Sequence, residues 1–338
     1  MSSFYIGIDL GGTNLKAGVT NNNGQLLAHI TVPTGDTPKE RAPDNVIARM
    51  IAAAEQAITL AKVNRRQIVA AGVAAPGQAF LDKGILHRAA NLPLWKDVPL
   101  RARISRGLKL PAVLENDANA AAFGEYWAGA GKNRNLETLF MITLGTGIGG
   151  GLVYRGAVVR GACDFAAEIG HTIVVPGGNA CGCGQHGCLE TYCSAGYIGR
   201  KATEMLRGSP KLRRTSSLGK VLAANGEISA ADIDHHARAG DQLAVEIWED
   251  ACRYIAIACI NVTHVIDPEM IVLGGGMAAS GKFLLTAVQK HIRKLWWKMS
   301  PQKATIAIAR LGNDSGCIGA AGVARFAADR GELLPLGR

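Results

Sequence analysis

Four side chains that commonly bind metals lie close together near the middle of this chain. His171, Cys181, Cys183 and Cys188 follow the pattern H-x9-C-x-C-x4-C. Three thiolates and one imidazole make a complete tetrahedral ligand set for zinc, whereas magnesium and calcium prefer oxygen ligands. A redox pair, or a chance cluster in a glycine-rich stretch, is the alternative interpretation. Because four protein ligands leave no position for water, the sequence predicts a structural zinc that holds the loop 168–190.

Two glycine-rich turns, each between two apolar strands, could bind phosphate. Glycine lets backbone N–H groups approach phosphate oxygens closely. The turn residues, together with a nearby lysine, are Gly11, Gly12, Thr13, Lys16, Gly145, Thr146 and Gly147. One such turn occurs in many hairpins, but the repeat predicts a pair of hairpins that hold the phosphates of a nucleotide. Asp9 ends the strand before the first turn and could hold magnesium through water.

Asp117 follows a short predicted strand, Ala112–Leu114, and precedes a predicted helix of small residues. Its position fits an ordinary helix N-cap. A carboxylate at a strand end beside a phosphate-binding hairpin is also the right group to accept a proton from an attacking hydroxyl. With Asn116 before it and the two hairpins in the chain, we expect the second role.

A third glycine stretch follows the predicted strand Met270–Leu273 and includes Gly274 and Gly275. Such a stretch could lie flat against an adenine ring, or it could form a simple tight turn between strand and helix. The residues alone favour neither role.

Apolar spacing predicts the elements that must position these groups. The helical repeat of apolar residues predicts helices at Pro43–Val63 and Asp241–Ile266, and a further helix is expected at Asp97–Leu108. Residues 91–95, NLPLW, are predicted to form a loop. Two small-residue helices, at 118–128 and 316–328, are expected to cross closely and to form a hinge.

The composition is that of a globular protein. The chain has 338 residues, of which 48% are hydrophobic and 19% charged, and it is long enough for two domains. We expect no signal peptide and no membrane span, because neither pattern occurs. The cysteines outside the metal cluster are expected to be buried, reduced thiols; they are Cys163, Cys193, Cys252, Cys259 and Cys317. These features predict a cytoplasmic protein.

The formal net charge of +10 is concentrated in three basic clusters, at 101–109, 200–214 and 290–298. Such clusters can be solvated helix faces, or they can attract an anionic substrate or phosphate donor. No zinc finger or recognition-helix pattern accompanies them, so we expect no nucleic-acid partner.

Taken in order, the motifs resemble those of the ROK family, whose name stands for repressor, open reading frame and kinase. The matching segments are Asp9-Leu10-Gly11-Gly12-Thr13, Glu115-Asn116-Asp117, Leu144-Gly145-Thr146-Gly147, Glu168-Ile169-Gly170-His171 and the cysteine segment CGCGQHGCLE at 181–190. The resemblance covers nearly the whole chain, and its cysteine signature is highly specific. Within the family, the pattern is most similar to that of the bacterial glucokinases.

The resemblance implies an α/β fold of the actin and hexokinase ATPase type, with two ribonuclease-H-like lobes and a cleft between them. The small lobe is expected at 1–117, joined by the C-terminal helix at about 318–338. The large lobe is expected at 118–317 and carries the zinc loop.

The resemblance also implies the roles of individual residues. Asp117 would be the base that deprotonates the 6-hydroxyl of a hexose, and one nitrogen of His171 would bind zinc while the other faces the sugar. The positions that match sugar-binding positions of the family are Gly77, Asn91, Asn116, Asp117, Glu168, His171 and Glu190. ATP and Mg²⁺ would be required, and the family usually forms homodimers or homotetramers.

The expected activity is phosphorylation of glucose to glucose 6-phosphate by ATP. Phosphorylation of N-acetylmannosamine, N-acetylglucosamine, fructose or mannose is the alternative within the family, and inorganic polyphosphate is an alternative donor. Some members are sugar-responsive repressors with an added N-terminal DNA-binding domain. Because the first phosphate strand is predicted to start at Phe4, we expect no such domain before it.

Overall fold

The computed structural model describes residues 3–89, 92–299 and 301–336. The chain divides into two compact units. The first comprises Met1–Leu139, Gly151–Ala166 and Arg310–Arg338, and the second comprises Phe140–Gly150 and Ala167–Ala309. The predicted lobe boundary after residue 117, and the predicted cleft, stay predictions.

The elements mix strands and helices along the whole chain. The strands are β1 (Phe4–Leu10), β2 (Asn14–Asn21), β3 (Leu26–Pro33), β4 (Ile68–Ala75), β5 (Gln78–Phe80), β6 (Ile85–Ala89), β7 (Leu92–Val98), β8 (Ala112–Asn116), β9 (Thr138–Leu144), β10 (Ile148–Tyr154), β11 (Ala157–Val158), β12 (Met270–Gly274) and β13 (Thr305–Ile308). The helices are α1 (Pro43–Ala61), α2 (Leu100–Leu108), α3 (Asp117–Trp127), α4 (Glu190–Cys193), α5 (Ala195–Gly208), α6 (Pro210–Thr215), α7 (Leu218–Asn225), α8 (Ala230–Arg238), α9 (Gln242–Ile266), α10 (Lys282–Leu295) and α11 (Ser315–Asp329).

Three sheets organise these strands. Their orders are β3-β2-β1-β4-β8, β11-β10-β9-β12-β13 and β5-β6-β7. In the first sheet β2 pairs antiparallel with both β1 and β3, whereas β1, β4 and β8 run parallel. The α/β fold class predicted from the sequence is confirmed.

The parallel strands of the first sheet bring distant residues to one edge. Asp9 of β1 pairs in register with Ala74 of β4, and Ala75 pairs with Asn116 of β8. Because parallel strands end at the same edge of a sheet, the residues that follow β1, β4 and β8 lie side by side. That edge belongs entirely to the first unit.

Helix α1 covers the first sheet with one apolar face. Its residues Val46, Met50 and Ala54 follow helical spacing and are fully buried, in one cluster with Ile6 and Ile8 of β1. The predicted helix Pro43–Val63 is therefore present, and it ends at a left-handed Lys62.

The two small-residue helices cross as closely as the sequence predicts. A Cβ placed on Gly319 of α11 would lie 1.7 Å from the carbonyl oxygen of Ala120 in α3. Only glycine permits this approach, and both helices lie in the first unit. Their proposed role as a hinge stays a prediction.

The segment 92–98 differs from its prediction. The sequence predicts a loop at 91–95 and a helix that begins at Asp97, but Leu92–Val98 forms β7. Leu92, Trp95 and Val98 are buried, and Val98 pairs with Leu86 of β6. Since burial recurs every third residue rather than every second, local alternation did not reveal the strand. Helix α2 begins after Pro99.

Helices α5–α10 belong to the second unit. The predicted long helix is α9, whose N-cap is Asp241: its side chain accepts a hydrogen bond from the backbone N–H of Ala244. No helix among the described residues is long and apolar enough to span a membrane.

The cysteines outside the metal cluster are free thiols. Cys193, Cys252, Cys259 and Cys317 are buried, as predicted. Cys163 is exposed, so its predicted burial was wrong. It lies in the loop after β11, where apolar neighbours in sequence do not form a core.

Candidate active site

The first glycine-rich turn connects β1 and β2 and is fixed by hydrogen bonds on its buried side. The backbone N–H of Gly11 donates to the carbonyl oxygen of Asn14 over 3.0 Å. Thr34, fully buried, donates its hydroxyl to the carbonyl oxygen of Gly11 (2.7 Å) and its N–H to that of Thr13 (2.8 Å). Gly12 is half-buried and Thr13 is exposed. The turn is therefore rigid on its inner side and open on its outer side.

Asp9 lies at the base of this turn. Burial, and next the negative charge of Asp117, raise the pKa of Asp9 to about 7, while Lys16 acts in the opposite direction. A carboxylate whose ionisation is disfavoured in this way gains from a nearby cation. Asp9 could therefore hold a hydrated cation, and its predicted role with magnesium stays a prediction.

The side chain of Lys16 is hydrogen-bonded to other residues of the same chain. Its ammonium group donates to the carboxylate of Asp314 (3.1 Å) and to the carbonyl oxygen of Asn313. The sequence predicts that Lys16 donates to phosphate, and this role stays a prediction.

Asn116, rather than Asp117, is the N-cap of α3. The side-chain oxygen of Asn116 accepts from the N–H groups of Ala118 (2.9 Å) and Asn119 (3.1 Å). Asp117 is the first helical residue, and its Oδ1 accepts from Ala118 over 2.8 Å. Asp117 is half-buried at the same sheet edge as Asp9. The simple capping interpretation of Asp117 is thus weakened, because Asn116 already fills that position.

Gly77 follows β4 at the same edge of the first sheet. Asn91, which the family resemblance places among the sugar-binding residues, lies outside the described residues.

The metal cluster assembles in the second unit. The ligand atoms of His171, Cys181, Cys183 and Cys188 all lie within 4.8 Å of one another. Nδ1 of His171 is 3.7 Å from the sulfur of Cys181, and the sulfurs of Cys183 and Cys188 are 3.7 Å apart. Three thiols and one imidazole at these separations fit a tetrahedral zinc ion. The cluster could therefore hold a metal ion of that kind.

The thiols of the cluster differ in their ease of ionisation. A hydrogen bond from the backbone N–H of Gln185 lowers the pKa of Cys183 to about 7. Burial raises the pKa of Cys181 and of Cys188. Binding of a cation by all three thiolates would release protons from the two buried thiols.

Glu190 lies between the metal cluster and the second glycine-rich turn. Its Oε1 is 3.1 Å from the sulfur of Cys181 and 3.8 Å from Nδ1 of His171. Its Oε2 accepts from the backbone N–H of Ile148 over 3.4 Å. Glu168 is exposed and precedes a short 3-10 turn that ends at His171. The segment that contains the metal cluster thus begins at one of these carboxylates, Glu168, and ends at the other, Glu190.

The second glycine-rich turn connects β9 and β10. The N–H of Gly145 donates to the carbonyl oxygen of Gly147 (3.0 Å), and the N–H of Ala195 donates to the carbonyl oxygen of Gly145 (2.8 Å). Thr146 and Gly147 are exposed. As in the first hairpin, the turn is anchored internally and exposed at its tip.

Gly274 and Gly275 form a tight turn at the end of β12. Gly275 has a φ of +80°, and an added Cβ would lie 2.7 Å from the backbone of Leu144. The turn therefore needs glycine for packing, and contact with an adenine ring stays a prediction.

A cavity of about 630 Å³ opens in the second unit beside Thr146. Helix α5 lines it with Gly196, Gly199 and Arg200, and Glu227 contributes from the loop before α8. This cavity was not predicted from the sequence. The i, i+3 glycines on one face of α5 were the signal that could have revealed it.

The burial and the partners of two carboxylates beside α3 were not predicted from the sequence. Glu115, only 1% exposed, forms an ion pair with Arg160. Glu125 is fully buried and accepts hydrogen bonds from the backbone N–H groups of Ala130, Arg310 and Leu311. Arg160, Arg310 and Leu311 are distant in sequence from the carboxylates that they contact, so no local pattern indicates these pairs.

The fold and the site define an α/β protein with two glycine-rich hairpins and a cluster of thiols and imidazole suited to a metal. The ROK family model matches residues 5–326. The chain belongs to the ROK family.

Relatives match over nearly their full length. A glucokinase of Halalkalibacterium halodurans is 34% identical over 317 residues, which cover 94% of this chain and 93% of that protein. The structure of a ROK hexokinase from Thermus thermophilus has a TM-score of 0.80 at 31% identity, covering 98% of this chain and 100% of that one. A ROK family glucokinase from Streptomyces griseus, solved with glucose and AMPPNP, has a TM-score of 0.80 at 32% identity, with coverages of 96% and 100%.

Proposed function

We propose that this protein is a glucokinase that transfers the γ-phosphoryl group of ATP to the 6-hydroxyl of glucose. The observation that carries the proposal is the placement of Asp117 at the sheet edge that also bears Asp9 and the first glycine-rich turn. The full-length similarity to glucokinases supports the choice of substrate.

In the reaction, the carboxylate of Asp117 accepts the proton of the glucose 6-hydroxyl. The hydroxyl oxygen then forms a bond to the γ-phosphorus while the bond to the bridging oxygen breaks, and ADP leaves. Since the transition state is loose, positioning and charge neutralisation supply most of the acceleration. Mg²⁺ bound with ATP would neutralise phosphate charge, and Asp9 would hold its water shell.

Each unit supplies its own nucleotide contacts. In the first unit, the backbone of Gly11–Thr13 would bind phosphate oxygens, and in the second, the backbone of Gly145–Gly147 would do so. The cavity beside Thr146, about 630 Å³ in volume, is large enough for a nucleoside. We propose that Gly274 and Gly275 face the nucleoside as well.

Residues of each unit are also assigned as sugar contacts. In the first unit we assign them to Gly77, Asn91, Asn116 and Asp117, and in the second to Glu168, His171 and Glu190. Carboxylates and amides each hydrogen-bond sugar hydroxyls in a defined geometry. Zinc held by His171 and the three cysteines would fix the loop that carries Glu168 and Glu190, and would take no part in the chemistry.

A coupled assay of ADP formation against a panel of hexoses tests this function. The panel contains glucose, mannose, fructose, N-acetylglucosamine and N-acetylmannosamine, each with MgATP. We expect glucose to give the highest kcat/KM. A higher value for an N-acetyl sugar would leave the proposed mechanism intact but would show that glucose is not the preferred substrate. No turnover with any sugar would contradict the proposal that the protein is a sugar kinase.

A separate assay that measures glucose 6-phosphate directly decides the phosphate donor, because transfer from polyphosphate forms no ADP. Inorganic polyphosphate, the alternative suggested by the basic clusters, should give no glucose 6-phosphate. Several basic residues of these clusters already pair with carboxylates, including Arg103 with Asp44, Lys201 with Asp250 and Lys290 with Glu249. We further propose that the enzyme acts in the cytoplasm as a homodimer or homotetramer.

A further inference from the structure

The carboxylate of Glu115 lies directly before the proposed catalytic segment. Glu115 ends β8 next to Asn116 and is only 1% exposed. Its Oε1 accepts two hydrogen bonds, each of 3.1 Å, from the backbone N–H of Asn116 and from the side-chain amide of Asn119. One oxygen thus holds the residue before Asp117 and a residue in the first turn of α3.

Arg160 holds the other oxygen of the same carboxylate. Its Nε and one terminal nitrogen donate to Oε2 of Glu115 over 2.9 and 2.8 Å. Burial would lower the pKa of Arg160, but the charge and hydrogen bonds of Glu115 outweigh it and raise that pKa. The guanidinium therefore stays charged and compensates a carboxylate that is buried.

We propose that the Arg160–Glu115 ion pair is a positioning device for Asp117, an inference that rests on the proposed role of Asp117 as the base. Asp117 lies between the two residues that Oε1 of Glu115 holds. A buried carboxylate without its cation is strongly unfavourable, so loss of Arg160 forces Glu115 to turn toward water or to rearrange. Either change releases the backbone on both sides of Asp117 and misplaces its carboxylate relative to the hydroxyl.

The surroundings of Arg160 permit a direct chemical test. Its side chain is 42% exposed and lines a cavity of about 360 Å³ within the first unit. A guanidinium ion from solution is small enough to enter such a cavity. It can therefore replace the head group of Arg160 when the side chain is removed.

The first measurement is steady-state kinetics of Arg160→Ala. We expect kcat to fall by about tenfold to a hundredfold, as for a small misplacement of a reacting group. KM for MgATP should stay within about twofold of the wild-type value, because the pair holds none of the proposed nucleotide contacts. The fall in kcat should exceed any rise in KM for glucose, since a misplaced base slows the reaction more than it weakens ground-state binding. Guanidinium chloride, far below unfolding concentrations, should restore part of the lost kcat, whereas sodium chloride should not.

A matched control removes an arginine that lies near in sequence but outside this pair. Arg155 forms a surface ion pair with Glu137, with side chains 65% and 61% exposed. We expect Arg155→Ala to keep the wild-type kcat and to show no response to guanidinium. Should Arg160→Ala not fold, Glu115→Gln supplies the test: it keeps an acceptor for Asn116 but loses the charge, and its kcat should fall by about tenfold.

The results separate this inference from the proposed function. Wild-type kcat per folded molecule in Arg160→Ala, even with a lowered Tm, would mean that the pair only stabilises the fold and would overturn the inference. A loss of turnover in Asp117→Asn alongside an active Arg160→Ala would overturn only the positioning role. An active Asp117→Asn variant would show that Asp117 is not the catalytic base.

Discussion

At the scale of single residues, Asp117 carries the proposed chemistry. Replacement by asparagine keeps the shape and the hydrogen bond to Ala118 but removes the proton acceptor. We expect Asp117→Asn to lower kcat by roughly 10²- to 10⁴-fold, the usual contribution of a general base. Glucose affinity, measured by calorimetry, should stay close to wild type. Near-normal turnover would contradict the assignment.

Asp9 should make stability depend on pH. Its pKa of about 7 in the folded protein lies above the ordinary value of 3.8. The stabilising contribution of Asp9 to the unfolding free energy is therefore complete below pH 3.8 and is lost as the pH rises through about 7. Asp9→Asn removes this dependence. Relative to the variant, the wild type should lose on the order of 2 kcal/mol of unfolding free energy between pH 5 and pH 8.

Urea unfolding of both proteins at the two pH values, without magnesium or nucleotide, measures this loss. Asp44→Asn serves as the control, because the Asp44 side chain is 87% exposed. An equal difference between Asp9→Asn and wild type at pH 5 and pH 8 would show that Asp9 is not the titrating group.

At the scale of elements, Glu125 joins helix α3 to the segment before α11. Its two buried oxygens accept N–H groups from Ala130, Arg310 and Leu311 at 2.7 to 3.0 Å. Glu125→Gln replaces one oxygen with an amide that faces backbone donors. We expect the unfolding free energy to fall by about 3 kcal/mol, since charge-assisted bonds are lost and a buried donor is left without an acceptor.

Chemical denaturation of Glu125→Gln and of Glu137→Gln makes the comparison. Glu137 is 61% exposed and pairs with Arg155 at the surface, so its variant should stay within about 0.5 kcal/mol of wild type. A Glu125→Gln variant as stable as the control would mean that these bonds add little.

At the scale of the whole molecule, the metal cluster should contribute to the folding stability of the protein. Because metal-binding energy in such a site is folding energy, Cys183→Ser should lower both the zinc content and Tm. It should also raise KM for glucose, since Glu190 lies against Cys181. Elemental analysis, calorimetry and kinetics measure these three effects, with the exposed Cys163→Ser as control. A metal-free protein with full activity would refute the role.

Much of the fold and of the candidate site was predictable because its signals are local. Each glycine-rich hairpin is a short segment, and the cluster from His171 to Cys188 spans eighteen residues. Helix α9 carries its own apolar stripe and N-cap. Such features depend on neighbours in sequence, so residue types and spacing reveal them.

Other features depend on pairing across the chain, which no local pattern encodes. Strand β7 pairs with β6, and its Trp95 is buried in the same core cluster as residues of β1 and α1. The sequence left open whether Asp117 serves as an N-cap, and the backbone places Asn116 in that position instead.

The sequence by itself determined the family motifs, the candidate metal ligands and the two hairpins, because each is a set of chemical groups at short spacing. Only the tertiary structure decided which buried charges meet. Arg160 reaches Glu115 across 45 positions, and Arg310 reaches Glu125 across 185. A buried carboxylate persists only where the fold brings it a donor, and the fold alone decides which donor that is.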